Sequence, residues 1–323
     1  MNERADYIPA AIPADDADSC DEMAIPAELG GMRLDQALAK LFPEHSRSRL
    51  QAWLKDGLIR VDGVSPDARR KVWGGECIEI DAPPSPELGA ALPEDLPLRC
   101  VYEDADILVI DKPVGLVVHP GNGNWSGTLL NALLHRDPAL AAVPRAGIVH
   151  RLDKDTSGLM VVARTLAAQT ELVRQLQARS VKRHYWALAQ GRLAAGGTVD
   201  APIGRHPAQR VRMAVVGNGR PAVTHYRVVE AFARCTLLEC RLETGRTHQI
   251  RVHMAHLGHP LVGDPVYGQR RTGDPRLDGF GRQALHAFRL GLVHPRTGEA
   301  MEWSVPMALD LAALLDVLRE GGA

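Results

Sequence analysis

The chain has 323 residues, 45% of them hydrophobic, and a formal net charge of −1. That length suffices for a catalytic domain with a small accessory domain, and the apolar share is ordinary for a globular protein. No stretch approaches the roughly 20 apolar residues of a membrane helix, and the five cysteines (Cys20, Cys77, Cys100, Cys235, Cys240) form no CxxC, which suits a reducing cytoplasm and argues against a disulfide framework or a thiolate zinc site.

Residues 1–28 hold eight carboxylates against Arg4, so they carry −7 of the total of −1 and the rest of the chain carries +6. Their opening, MNERADYIPAAIPADDADSC, lacks an apolar h-region and reads as neither signal nor transit peptide. So acidic a segment is expected to lack fixed structure.

A compact unit is expected over 29–82. Leu34, Leu38, Leu41 and Phe42 repeat with helical spacing. Ser46 caps a second helix with Leu50, Trp53 and Leu54 on its apolar side, and Gly57 stops it. Leu58–Val61 and Cys77–Ile80 read as strands, and Asp62-Gly63 is a strong hairpin signal. Arg47, Arg49 and Lys55 lie around the second helix, with Arg60, Arg69, Arg70 and Lys71 beyond it. The stretch RLDQALAKLFPEHSRSRLQAWLKDGLIRVDG resembles the S4 RNA-binding domain, whose two helices present a basic face to structured RNA. A small helical adaptor with merely solvated arginines is the alternative. The cations cluster on the capped helix and the loops after it, where phosphates can be reached, and this favours RNA.

Residues 83–97 contain five prolines and read as a semi-rigid linker. From residue 98 to 323 the pattern mixes strands with helices. Strands are expected at Ile107–Ile110, Leu159–Ala163, Tyr185–Ala189, Val223–Phe232 and Thr236–Leu242. Thr165 is expected to cap a helix carrying Leu166, Leu172, Val173 and Leu176. Thr247 is expected to cap another, carrying Ile250, Met254 and Leu257 and ended by Gly258. Because strands and helices do not alternate regularly, the expectation is an α+β fold on a mixed, largely antiparallel sheet. Within it, Ala201–Val229 has five arginines (Arg205, Arg210, Arg212, Arg220, Arg227) and no carboxylate. On charge alone, an anionic partner and a solvated basic loop are equally good readings.

The segment GIVHRLDKDTSGLMVVAR (Gly147–Arg164) places a polar loop, His150–Gly158, between two apolar segments read as strands, a rigid mount for reactive groups. It offers two carboxylates, Asp153 and Asp155, between Arg151 and Lys154. Generic chemistry leaves open a glycosidase-type acid/base pair or a surface turn of mutually paired charges.

HRLDKDTSGL resembles the catalytic motif of the RluA/RluD family of pseudouridine synthases. DKPVGLVVHPG (Asp111–Gly121) is similar to that family's upstream motif, VKRHYWALA (Val181–Ala189) to its tyrosine motif, and LETGRTHQIRVHMAHLGHPLVGDPVYG (Leu242–Gly268) to its third motif. The resemblance spans nearly all of residues 31–310 and implies a cofactor-free, metal-free isomerase of large-subunit ribosomal RNA or a pre-ribosomal particle. It further implies the helix 69 stem-loop of 23S RNA as the target, and a cytoplasmic, monomeric protein without membrane attachment is expected. It assigns the essential carboxylate to Asp153. In uridine isomerisation a carboxylate can add to the sugar, stabilise cationic character there, or take a sugar proton. A guanidinium partner would offset the desolvation cost of that carboxylate. The resemblance gives this role to Arg251, with Arg246 as runner-up. It implies Tyr185 at the target base, its ring stacked there or its hydroxyl helping to remove the C5 proton, and Arg151 filling the gap left by the flipped nucleotide.

Three other features are set aside. His253, His256 and His259 form HxxHxxH but lack the HExxH glutamate. Gly121, Gly123 and Gly127 are not a GxGxxG, and Ser157 lies outside any GxSxG elbow. The rival functions are a non-catalytic ribosome-assembly protein on a synthase scaffold, disfavoured by intact Asp153, Tyr185 and Arg251, and a glycosidase or nucleosidase, disfavoured by the S4-like unit.

Overall fold

A computed structural model describes residues 22–42, 47–80, 92–121, 124–209, 212–268 and 271–321. The chain divides into two compact units, Met1–Gly89 and Ala90–Ala323.

The first unit contains β1 (Glu22–Ala24), α1 (Leu34–Leu41), α2 (Arg47–Lys55), β2 (Ile59–Val61) and β3 (Cys77–Ile80). Its three strands form an antiparallel sheet with β3 in the middle. Leu34 and Leu38 of α1 meet Leu50 and Leu54 of α2 over Ile59, Val61 and Ile78, as helical and strand periodicity dictate.

Two expectations need correction here. The tail does not run to residue 28 without structure: Met23 pairs with Ile78, and Ile25 is 1% exposed. Burying that isoleucine against the sheet outweighs the acidic surroundings of the segment. Residues 1–21 lie outside the described residues. Asp62-Gly63 does turn the chain, with φ 52 and 75, and Val61 bridges to Val64 across it. No hairpin strand follows, however. β2 pairs instead with the more distant β3, and Asp62 Oδ1 accepts the Cys77 N–H at 2.9 Å.

The second unit is built on a nine-stranded sheet. Its strands are β4 (Arg99–Glu103), β5 (Ile107–Lys112), β6 (Ser157–Ala163), β7 (Lys182–Gln190), β8 (Gly197–Asp200), β11 (Val223–Ala231), β12 (Cys235–Leu242), β13 (Leu285–Val293) and β14 (Ala300–Ser304). The order is β4-β5-β6-β13-β7-β12-β11-β8, with β14 also on β13. The β6–β13 pair is parallel and the others are antiparallel, so the α+β, largely antiparallel expectation holds. A separate hairpin, β9 (Ile203–Arg205) with β10 (Met213–Val215), rises from the stretch between β8 and β11.

Strand alternation buries both faces. Leu108 and Ile110 face α3 (Leu129–Arg136) and α5 (Gln249–His256), while Ile107 and Val109 face α4 (Leu166–Gln177). Thr165 caps α4 through the Ala168 N–H at 3.1 Å, as expected. Leu166, expected on its apolar side, is 60% exposed.

The proline-rich linker falls mainly in 81–91, outside the described residues. Its far end is no free spacer: Asn131 of α3 donates to the Leu92 carbonyl at 2.8 Å, and the Glu94 carboxylate accepts the Gly127 N–H at 3.0 Å. These bonds satisfy groups at the start of α3, which is why the linker stops short of residue 97.

Candidate active site

Asp153 sits in the loop that leads into β6. The segment before the loop is not a strand. It is a 3-10 turn, Pro144–Gly147, in which Arg145 and Ala146 have φ of 55 and 50, and only Ile148 bridges to Val162. The loop is fixed from below by two buried cations. Lys112 Nζ donates to the carbonyls of Pro113 (2.8 Å), Leu116 (2.9 Å) and Lys154 (2.9 Å). Arg282, held in a fork by Asp310, donates to the Asp155 carbonyl at 3.0 Å. Burial pushes the Lys112 ammonium down to about 8. Gln283 adds a bond to Thr156 Oγ1 at 3.1 Å. At the end of the loop, Gly158 has φ 112, and a Cβ there would come within 2.2 Å of the Ala287 carbonyl oxygen. Only glycine allows β6 to approach β13 so closely. Gly158 pairs with Ala287, and Ala287 with Tyr185, so the register carries the loop to the tyrosine across three strands.

Arg251 on α5 meets the carboxylate. Its Nη1 donates to Asp153 Oδ2 at 2.9 Å. Its Nε and Nη2 grip Asp264 in a fork at 2.7 and 2.9 Å. Arg251 is 4% exposed. Burial works against its charge, but the bond to Asp264 and then the field of Asp153 overcome that, and its pKa is raised. Asp264 is held below the usual carboxylate range: burial opposes this, and the Arg251 bond outweighs it. Arg246 makes no contact with Asp153 and donates instead to the Pro221 carbonyl at 3.0 Å. Thr247 does not cap α5. The cap position belongs to His248 in a left-handed conformation, φ 58, without a side-chain capping bond. The backbone needs a residue tolerant of positive φ there, and a β-branched threonine is not.

A cavity of about 610 Å³ opens over this pair. Asp153, Tyr185, Arg251, Arg151, Arg246, His248 and Leu285 are among the residues that line it; Asp155 does not. The two carboxylates therefore do not face each other across one site, as a glycosidase pair must. Asp153 Oδ1 lies 3.8 Å from His248 Nε2 and has no hydrogen-bond partner among the described residues. Tyr185 is 5% exposed, and burial raises the pKa of its hydroxyl. Arg151 is exposed and forms no ion pair with any described carboxylate.

Two histidines in the cavity wall are held neutral. Burial, then Arg145 and Arg151, push His119 down to about 4. Burial, then Arg183, push His150 to about 3, and its Nε2 accepts the Val161 N–H at 3.1 Å. Protonating His150 would break that bond. Since the unfolded chain binds a proton near pH 6.5 that the folded chain refuses until about 3, stability must fall as pH drops below 6.5. Each such group contributes up to about 1.4 kcal/mol per pH unit. His150→Gln keeps an acceptor and cannot titrate, so its stability between pH 7 and 5 should fall less steeply than wild type in urea melts. An identical slope for both proteins would refute this.

The other expected RNA contacts are divided between the two units. Lys55 is exposed on α2; the side chains of Arg47 and Arg49, and all of Ser46 and Arg210, lie outside the described residues. Arg205 ends β9 and is exposed. Arg212 precedes β10, bonds Gln209 at 3.0 Å and lies 5.5 Å from the centre of the Tyr267 ring. His253 is buried with one nitrogen 2.9 Å from Thr224 Oγ1 and the other 2.9 Å from the Ala201 carbonyl. Ser157 is buried against His286 Nδ1 at 2.9 Å. Five residues escaped the sequence reading: Lys112, Arg282, Asp264, His248 and Tyr267. All but Arg282 lie inside quoted motifs, but their spacing gives no sign of what they touch.

Comparison with known proteins gives a consistent result. The family described as RNA pseudouridylate synthase matches residues 106–256, and the S4 domain matches 32–68. The chain is 56% identical over 301 residues to the ribosomal large subunit pseudouridine synthase D of Nitrosomonas europaea, covering 92% of this chain and 88% of the relative. For the protein of that name in Pseudomonas aeruginosa the figures are 57% over 304 residues, 92% and 95%. Among solved structures, human RNA pseudouridylate synthase domain containing 1 aligns with a TM-score of 0.53 at 29% identity, over 74% of this chain and 97% of that one.

Proposed function

This chain belongs to the RNA pseudouridylate synthase family, and we propose that it isomerises uridines of large-subunit ribosomal RNA with Asp153 as the reacting carboxylate. The observation that carries the second part is the state of Asp153 at the cavity: one oxygen fixed by Arg251, the other without a hydrogen-bond partner among the described residues. The RNA class follows from the name shared by relatives that align along most of their length, and an S4 domain in the same chain supports it.

The reaction breaks the bond from N1 to C1′, turns the base over, joins C5 to C1′, and moves the C5 proton away while N1 gains one. No net electron transfer occurs. The free oxygen of Asp153 acts on the sugar, where positive character develops. Because burial raises the Tyr185 pKa, its hydroxyl stays protonated in the resting site. The ring then serves best as a stacking surface for the base. A stacked base cannot turn within an RNA helix, so the nucleotide must be extruded into the cavity. Arg151, exposed and without an ion pair among the described residues, fills the space it leaves. The helix 69 stem-loop of 23S RNA is the proposed target, acted on in the cytoplasm by a monomer. Among the described residues no helix is long and apolar enough to cross a membrane.

Mapping pseudouridines in ribosomal RNA from cells with and without this protein tests the reading. Sites that vanish from helix 69 and return on complementation support it; an unchanged map sinks it. The first unit makes a separate prediction. Lys55, Arg60, Arg69 and Lys71 are exposed there. Removing residues 1–81 should weaken binding to large-subunit RNA and flatten the plot of log affinity against log salt by about 0.7–0.9 per lost phosphate contact. Turnover should persist at high enzyme concentration. Equal affinity and slope for the two proteins would mark these cations as ordinary surface charges.

A further inference from the structure

Tyr267 follows α5 by one loop and reaches back toward the cavity. Its Oη accepts the Met213 N–H at 2.9 Å and lies 2.9 Å from His248 Nδ1. Its ring meets the imidazole edge-on, with centroids 5.7 Å apart, and the Arg251 guanidinium lies 5.1 Å from the ring centre. One side chain thus supports both groups that flank Asp153.

The contact between Tyr267 and His248 can be made in two ways. If Nδ1–H donates to Oη, the phenolic proton has no acceptor among the described residues. The bare Nε2 lone pair then faces the Asp153 carboxylate, 3.8 Å away, which is repulsive. If instead Oη–H donates to Nδ1, each proton finds an acceptor: Met213 N–H on Oη, Oη–H on Nδ1, and Nε2–H aimed at Asp153 Oδ1. The ring is neutral in this arrangement. Burial lowers the His248 pKa; Asp153 opposes that, Arg251 lowers it further, Asp264 opposes and Arg151 lowers it again.

We propose that Tyr267 sets His248 in the Nε2–H tautomer, and that the histidine thereby positions Asp153 through the oxygen that Arg251 leaves free. A single donor on Oδ2 leaves the carboxylate able to rotate about its Cβ–Cγ bond; a second donor fixes its plane. At 3.8 Å the second contact is not yet a hydrogen bond. Contacts of this kind tighten when substrate closes the site. His248 is a positioning residue, since it acts through Asp153, and the inference rests on Asp153 being the reacting carboxylate.

The test combines a spectroscopic signature with rates, using the full chain and deproteinised large-subunit ribosomal RNA. Nitrogen-15 NMR of histidine-labelled protein should show His248 neutral and protonated at Nε2, and Tyr267→Phe should turn this into a tautomer mixture. His248→Asn keeps a residue that tolerates positive φ, but its short amide cannot reach Asp153. Its single-turnover rate should fall roughly 10–100-fold, the scale of a small misplacement of a reacting group, with RNA affinity unchanged. His248→Gln carries an amide nitrogen where Nε2 was and should recover much of the rate. An Nδ1–H tautomer or a protonated ring at neutral pH would overturn the proposal. So would a full rate for His248→Asn alongside an inactive Asp153→Asn. If Asp153→Asn itself turned over, the assignment of the carboxylate would fall first, and this inference with it.

Discussion

Asp153→Asn is expected to leave no detectable pseudouridine on ribosomal RNA while RNA affinity stays near wild type. The amide keeps the shape of the side chain and can still accept the Arg251 Nη1 bond through its oxygen. What it loses is the charge, and with it the ability to bond to the sugar, to balance positive character there, or to take a proton. Removing a group that takes direct part in the reaction costs rate on the order of 10⁴–10⁶-fold. The fold should survive, because Arg251 retains its fork to Asp264. Asp155→Asn is the control. Its side chain does not line the cavity, and the bond that holds its position in the loop is made by its backbone carbonyl to Arg282, so turnover should remain close to wild type. Purified Asp153→Asn that converts uridine, or Asp155→Asn that does not, would exclude this assignment.

Arg251→Met should damage folding and activity together. The substitution strands two carboxylates, Asp264, 5% exposed, and Asp153, neither of which has another Lys or Arg in contact among the described residues. Breaking a buried ion pair from one side costs about 3–5 kcal/mol. A lower melting temperature should therefore accompany the lost rate. Arg251→Lys brings back the charge but not the fork. One ammonium cannot give two parallel bonds to Asp264 and a third to Asp153, so stability should recover more than turnover. Arg246→Met, by contrast, loses a single bond to a backbone carbonyl at the cavity rim and should weaken RNA binding with little change in melting temperature. Melting temperature, RNA affinity and single-turnover rate measured in parallel on the three proteins separate these outcomes. An inactive Arg246 variant beside an active Arg251→Met would reassign the guanidinium role.

The sequence made Asp153, Tyr185 and Arg251 visible because they lie within continuous motifs. It also showed the antiparallel sheet, through strands such as β12, where Leu238, Cys240 and Leu242 alternate with polar neighbours. It was silent where a side chain finds its partner far along the chain. Lys112 reaches the Lys154 carbonyl 42 residues away, and Arg282 reaches the Asp155 carbonyl 127 residues away. No local period encodes such bonds, and a buried lysine bonded to carbonyls looks, in sequence, like any surface lysine. β13 was missed for another reason. Buried on both faces for most of its length, it shows no alternation, and His286 and Arg289 interrupt its apolar residues. β1 is three residues long, too short for any pattern to emerge from the acids around it.

The insertion of β13 between β6 and β7 has a consequence for synthesis on the ribosome. Ser157, at the start of β6, bonds His286 of β13, 129 residues later. At about 5–20 residues per second, translation needs roughly 6–26 s to supply the missing strand after the Asp153 loop has been made. Until then, the β6 edge that closes on β13 stands open, and Arg282, which holds the loop, is not yet in place. The first unit, with its own core, is complete long before. A nascent chain thus completes its first core well ahead of the sheet that carries Asp153, and the cavity around that carboxylate closes only with the docking of a late strand.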